Sequence, residues 1–223
     1  MSHTMLHLRN HRPQPVTTDD LKRANCPQRY WTAKWELIPP EARYVGEVLH
    51  YRDTLPTLLD QGVGLYLWSP ENGTGKTALA ALFVIAALAN GYSAFFIRSS
   101  EMKEAVVENQ RYDESTTLRE HLRQVDMLVI DDLGKEHKGA SGYAESLLED
   151  VVRDRTQWKR ATFFTSNVGP DKLASIYSAD FADVLKECML AVWVGGPREG
   201  GKAWREDERQ RLQALRPARS ANG

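Results

Sequence analysis

Two cysteines are all this chain has, and Cys26 and Cys188 lie far apart with no ligand-like neighbour. That excludes a disulfide framework and a zinc ribbon, and it fits a reducing compartment. Long apolar runs are missing as well. None approaches the roughly 20 residues a membrane-spanning helix needs, and the first residues carry no apolar stretch of the signal-peptide kind. Nor is there a surplus of either charge: 29 Lys and Arg stand against 30 Asp and Glu, for a net charge of −1. A polycationic nucleic-acid binder is thereby excluded, and any contact with nucleic acid must come from a local patch or an oligomer. The expectation is a soluble, cytoplasmic protein without membrane attachment. What is present, 223 residues that are 42% hydrophobic, suits one domain with tails.

The chain is organised around Ser69-Pro70-Glu71-Asn72-Gly73-Thr74-Gly75-Lys76-Thr77. An apolar run, Leu65 to Trp68, precedes it and reads as a buried strand; Ala78 to Leu88 follows as an Ala- and Leu-rich helix. Strand, glycine loop and helix form the context of a phosphate-binding loop. Gly73 and Gly75 let backbone N–H groups turn onto oxygens at a helix N-terminus. Asn72 to Thr77 are therefore the predicted nucleotide-binding residues, with Lys76 on the β- and γ-phosphates and the Thr77 hydroxyl on Mg²⁺. Pro70 stands where the first glycine of the pattern belongs, which predicts an altered loop entry with nucleotide binding retained.

Before the loop, residues 1–24 read as a flexible polar tail in which His3, His7 and His11 lack apolar periodicity and are solvated. An aromatic lead-in from Asn25 has rings suited to the core or to flanking a nucleotide base, and Pro40 to Leu59 carries a helical stripe. After it, strands are expected at Ser93–Ile97, Val125–Asp132, Arg160–Asn167 and Met189–Val194. Helices are expected at Ser100–Gln110, Ser115–Arg123, Tyr143–Trp158, Lys172–Tyr177 and Phe181–Cys188, and one over Arg205–Leu215 in a charged tail, 198–223. Alternating strands and helices predict a three-layer α/β domain, residues 25–197, with a parallel sheet and ligands beyond the strands' carboxyl ends.

Asp131 and Asp132 end the third strand. Hydrolysis of a phosphoanhydride needs a metal-organising carboxylate and a group that orients or deprotonates water, which suits Asp131 and Asp132 respectively. Asn167, ending Thr165-Ser166-Asn167 on the next strand, is placed to hold the water and sense the γ-phosphate.

Asn25-Cys26-Pro27-Gln28-Arg29-Tyr30, Gly73-Thr74-Gly75-Lys76-Thr77, Ile130-Asp131-Asp132-Leu133-Gly134 with Glu136, and Thr165-Ser166-Asn167 together resemble the DnaC/IstB family of AAA+ ATPases. The resemblance covers roughly residues 25–205. It implies a P-loop NTPase of the AAA+ type, a five-stranded sheet in the order 5-1-4-3-2 and little or no C-terminal lid. It further implies ATP and Mg²⁺ as cofactors, single-stranded DNA, assembly into a homo-oligomer, and a replicative helicase or a transposase as partner. One departure bears on rate: no arginine occurs from Ala161 to Pro197, where the family carries its finger. Lys186 is the nearest cation there, Arg153 and Arg155 are substitutes on the preceding helix, and slow hydrolysis is expected. Lys135, Lys138, Lys159 and Arg160 are candidates for a single-strand path, and Arg198, Lys202 and Arg205 for a sensor or DNA contact. The expected function is an ATP-dependent helicase loader on single-stranded DNA, with a transposition helper or a nucleotide-binding adaptor of negligible hydrolysis as alternatives; a small-molecule kinase comes last, because no recognisable arginine-bearing lid follows Asn167.

Overall fold

The structure, a computed structural model, describes residues 13–102, 115–134 and 143–195. The His3, His7 and His11 tail, most of the helix expected at Ser100–Gln110, Lys135, Lys138 and everything past Gly195 lie outside the described residues. Five strands form one parallel sheet: β1 (Gly64–Trp68), β2 (Ala94–Arg98), β3 (Met127–Leu133), β4 (Ala161–Ser166) and β5 (Met189–Trp193). Their order is β2-β3-β4-β1-β5, the expected 5-1-4-3-2 read from the other edge.

Both faces are buried because side chains alternate along each strand. Leu65, Leu67, Phe96, Val129 and Phe163 face one core with the helix α4 (Lys76–Ala89). Tyr66, Ile97, Ile130 and Phe164 face the other, closed by α5 (Ser115–Gln124), α6 (Tyr143–Gln157) and α7 (Ala179–Cys188). On the first face Phe83 of α4 sits edge-on to Trp35 and Tyr51, with ring centroids 5.1 and 5.3 Å away. Trp35 of the lead-in is thus a core anchor. Asn90 ends α4 by donating its side-chain amide to Ala86 O at 2.8 Å, and Gly91 turns left-handed at φ 79°.

Three expectations give way. The helix expected from Pro40 to Leu59 is two, α2 (Val45–Asp53) and α3 (Leu55–Asp60). Pro56 in the first turn of α3 has no N–H to continue the ladder of α2. Pro170–Ser175 is a 3₁₀ turn where Lys172 to Tyr177 read as a short α-helix. Finally, the stretch assigned to a polar tail contains α1 (Thr18–Arg23), opened by a capping box and anchored by buried Leu21.

The chain after α1 also covers the outer edge of β2. Phe96 N donates to Ala24 O and Asn25 Nδ2 donates to Phe96 O, both at 2.8 Å. Asn25, at φ 49°, thereby does the work of a sixth strand at an edge that would otherwise expose its ladder.

Candidate nucleotide site

The phosphate loop springs from β1 and turns back into α4 through Gly73 and Gly75, at φ 76° and 100°. Gly75 is the residue preceding the helix, so the loop's amides converge on its N-terminus. Ser69 ties the entry down: its N–H donates to Ser166 O at 3.1 Å and its Oγ accepts from Glu71 N at 3.2 Å. Pro70 therefore replaces a glycine at a position fixed from both sides. Lys76 is buried and folded along the loop, its Nζ donating to Glu71 O at 2.8 Å and Ser69 O at 3.3 Å.

Thr77 Oγ1, one residue into α4, donates to Asp131 Oδ1 at 3.0 Å. Thr165 Oγ1 donates to the same oxygen from the β4 side and accepts from Asp132 N at 2.9 Å. Burial lifts the Asp131 carboxyl above its ordinary range and the neighbouring Asp132 charge lifts it further, against the two hydroxyls and Arg98. Pairing between β3 and β4 shifts register between Ile130 and Leu133, and Asp132 sits left-handed at φ 61°. Such a bulge breaks strict in–out alternation, so the two consecutive acids need not face opposite layers. Hydroxyls hold its carbonyls: Ser99 Oγ donates to Asp132 O at 3.0 Å and Ser166 Oγ to Leu133 O at 2.7 Å. Asn167 Nδ2 donates across the crevice to Asn72 Oδ1 at 2.9 Å.

The fold thus gathers Asn72 to Thr77, Asp131, Asp132 and Asn167 at the carboxyl ends of β1, β3 and β4. Thr165, two residues before Asn167, has its hydroxyl committed to the acid pair. Arg98 was missed: it is the register partner of Asp131 on β2. Ser99 was missed too, since its partner is 33 residues away on another strand.

The finger substitutes fare differently. Arg155 is fully buried and donates to the carbonyls of Leu122, Arg123, Val125, Asp126 and Ala161 and to Thr162 Oγ1. It is a structural clamp at the amino ends of β3 and β4. Arg153 is exposed and 3.8 Å from the Glu149 carboxylate, and Lys186 is held by Asp183 at 2.9 Å. Lys159 and Arg160 precede β4, at the opposite end of the sheet from the loop. The Asn25 segment lies against the outer edge of β2.

Among the described residues, no helix is long and apolar enough to cross a membrane. The sequence model of the family described as IstB-like ATP binding protein matches residues 60–191. The replicative helicase loader DnaC of Escherichia coli (strain K12) is 26% identical over 129 residues, 57% of this chain and 52% of that protein. The loader DnaI of Bacillus subtilis (strain 168) is 33% identical over 121 residues, 51% of this chain and 36% of its own length. The chain therefore spans about half or less of these curated relatives. A crystal structure of the DnaC helicase loader superposes with a TM-score of 0.67 at 20% identity, covering 76% of this chain and all of that one. The replication initiator DnaA bound to AMPPCP and single-stranded DNA gives 0.66 at 18% identity, over 86% of this chain and 58% of that one. At such identities these neighbours speak for the AAA+ fold alone. The family match, spanning more than half of the residues, carries the conclusion that the chain belongs to the IstB-like ATP-binding proteins.

Proposed function

We propose that this chain is an ATP-driven assembly factor of the helicase-loader kind, which binds ATP with Mg²⁺, hydrolyses it slowly and acts with a replicative helicase on single-stranded DNA. The observation that carries it is the convergence of Thr77 and Thr165 on one buried oxygen of Asp131 at the head of α4. Two hard oxygens 3.0 Å apart, one of them a carboxylate's, suit Mg²⁺, which keeps most of its waters and takes few protein ligands. Burial and a second acid make the Asp131 charge costly, and a divalent cation offsets that cost. Thr77 and Asp131 would hold the ion, which when bound draws charge from the β- and γ-phosphates.

The remaining roles fall to the chain's own groups. Amides from Asn72 to Thr77 wrap the phosphates. Lys76 exchanges the loop carbonyls of Ser69 and Glu71 for phosphate oxygens, a trade between neighbouring acceptors. Asp132 orients or deprotonates the attacking water, and Thr165 sets the position of both acids. Asn167, released from Asn72, meets the γ-phosphate. Arg155, committed to carbonyls, is withdrawn as a finger substitute, and exposed Arg153 is left on the preceding helix, which supports slow turnover unless a partner supplies the group. The same observation favours the adaptor, with negligible hydrolysis, as second reading.

Steady-state ATP hydrolysis by the wild-type chain and by Lys76→Ala, each with and without single-stranded DNA, tests this. Lys76-dependent turnover that DNA alters supports the switch; equal rates in both proteins leave the adaptor. Size measured in ATP and ADP with purified replicative helicase or transposase identifies the partner, and nucleotide-dependent association with the transposase alone would overturn the helicase assignment.

A further inference from the structure

A cavity of about 470 Å³ opens on the outer flank of β2, beside the acid pair but outside the phosphate crevice. That volume falls within the roughly 300–1,000 Å³ of small-ligand sites. Buried Phe96 lies within it, and half-buried Trp31 forms an aromatic wall, pinned by donation from its Nε1 to Cys26 O at 2.8 Å. Lys22, Gln28, Arg98 and Glu101 also line it, together with the chain from Asn25 to Pro27. We infer that this cavity receives one unstacked base of a single-stranded nucleic acid, with Trp31 as the stacking wall, Gln28 at the base edge and Lys22 and Arg98 on the flanking phosphates.

An aromatic wall, a side-chain amide and two cations around one nucleotide-sized hollow are the chemistry by which single strands are held. Both cations sit in exposed ion pairs, Arg98 with Glu101 at 3.2 Å and Lys22 with Asp19 at 3.4 Å, and Arg98 also feels the Asp131 carboxylate. Such pairs are worth about 0–1 kcal/mol, so a phosphate replaces the carboxylate at little cost. The base of an ATP on the loop is not the occupant. With the γ-phosphate at Asp131, as proposed above, that base would point away from β2, where the cavity lies one strand beyond. Occupancy would also be felt at the acids. Arg98 stands opposite Asp131 in the β2–β3 register, and the next residue, Ser99, donates to Asp132 O at 3.0 Å. The site therefore offers a route by which a bound strand alters hydrolysis.

This inference rests on the DNA half of the proposed function, and the test separates the two. The full chain with ATP is irradiated with a dT₁₅ strand carrying 5-iodouracil, and the crosslinked peptide is mapped. Affinity for labelled dT₁₅ is measured by anisotropy against salt for wild type, for Lys22→Glu with Gln28→Ala, and for Arg98→Glu. A crosslink at Trp31 is expected, with affinity falling at least tenfold in each variant. The slope of log K against log salt should shrink by about 0.7 for each phosphate that a variant no longer neutralises. Crosslinks elsewhere with unchanged affinity overturn the cavity while leaving the loader reading intact. No binding of the strand by the wild-type chain overturns the cavity and the DNA half of the function together. Crosslinking uses the wild-type protein, so a variant that fails to fold cannot obscure the outcome.

Discussion

Each end of the sheet buries a charged side chain, and the two ends treat it in opposite ways. At the amino ends of β3 and β4, the Arg155 guanidinium meets five backbone carbonyls and the Thr162 hydroxyl. At the carboxyl ends, Asp131 accepts from two neutral hydroxyls and has a second acid as its chain neighbour. Burial pulls the arginine down to about 9, still charged at neutral pH, and raises the aspartate. A buried polar network that is fully satisfied rigidifies a fold, while one that carries a costly charge is a place for chemistry. On the proposed reading, the first end serves stability and the second serves a cation and a phosphate.

The comparison breaks most directly at Asp131. Asp131→Asn keeps the shape and the hydroxyl partners but removes the negative charge. Hydrolysis should fall about 10³-fold, or about 4 kcal/mol in barrier, while the melting temperature without nucleotide stays level or rises. A variant that loses stability along with activity would show that the acid is structural. Arg155→Met should do the reverse. It orphans carbonyls at the start of two strands and costs about 3 kcal/mol, a drop of roughly 6–12 °C at this size. Hydrolysis per folded molecule should hold within a fewfold, measured below the new midpoint. Thr165→Val sharpens the contrast, because that hydroxyl serves both acids. The expected loss is about tenfold in hydrolysis and about 1–2 kcal/mol in stability, and an effect on stability alone would deny it a positioning role.

The same contrast explains what the sequence could reveal. The loop, the strands and the acid pair are local patterns: apolar runs, glycines at fixed spacing, paired acids after a strand; the sheet order came from the family resemblance. They were legible because each is complete within a few residues. Arg155 was not, because a charged residue on a helix reads by default as solvated. A signal did exist: Leu148, Val151, Val152 and Arg155 fall at helical spacing, which sets the arginine on the apolar stripe. The hydroxyls of Ser99, Thr165 and Ser166 gave less warning, since each acts on a neighbouring strand about 33 residues away. The division of Pro40–Leu59 at Pro56 was open to view, and the apolar stripe outweighed it.

A third carboxylate extends the comparison to the surface, where the sign reverses. Asp20 in α1 accepts from Thr17 N at 2.9 Å and Thr17 Oγ1 at 2.6 Å, and pairs with Arg23. These partners favour the charged form and lower its pKa from 3.8 to about 2, with the Thr17 hydroxyl the largest cause. A depressed carboxylate contributes stability above its unfolded pKa and loses it as pH falls through the folded one. For α1 that window runs from 3.8 down to about 2. Asp131, being raised, works against folding at neutral pH, and its protonation on acidification relieves a penalty. Amide exchange followed between pH 4 and pH 2 should therefore show Thr18–Arg23 opening while β3 stays protected, and Asp20→Asn should remove the pH dependence of α1. If β3 opened first, the Asp131 charge would be holding the sheet together, and the division between a stabilising end and a chemical end would not stand.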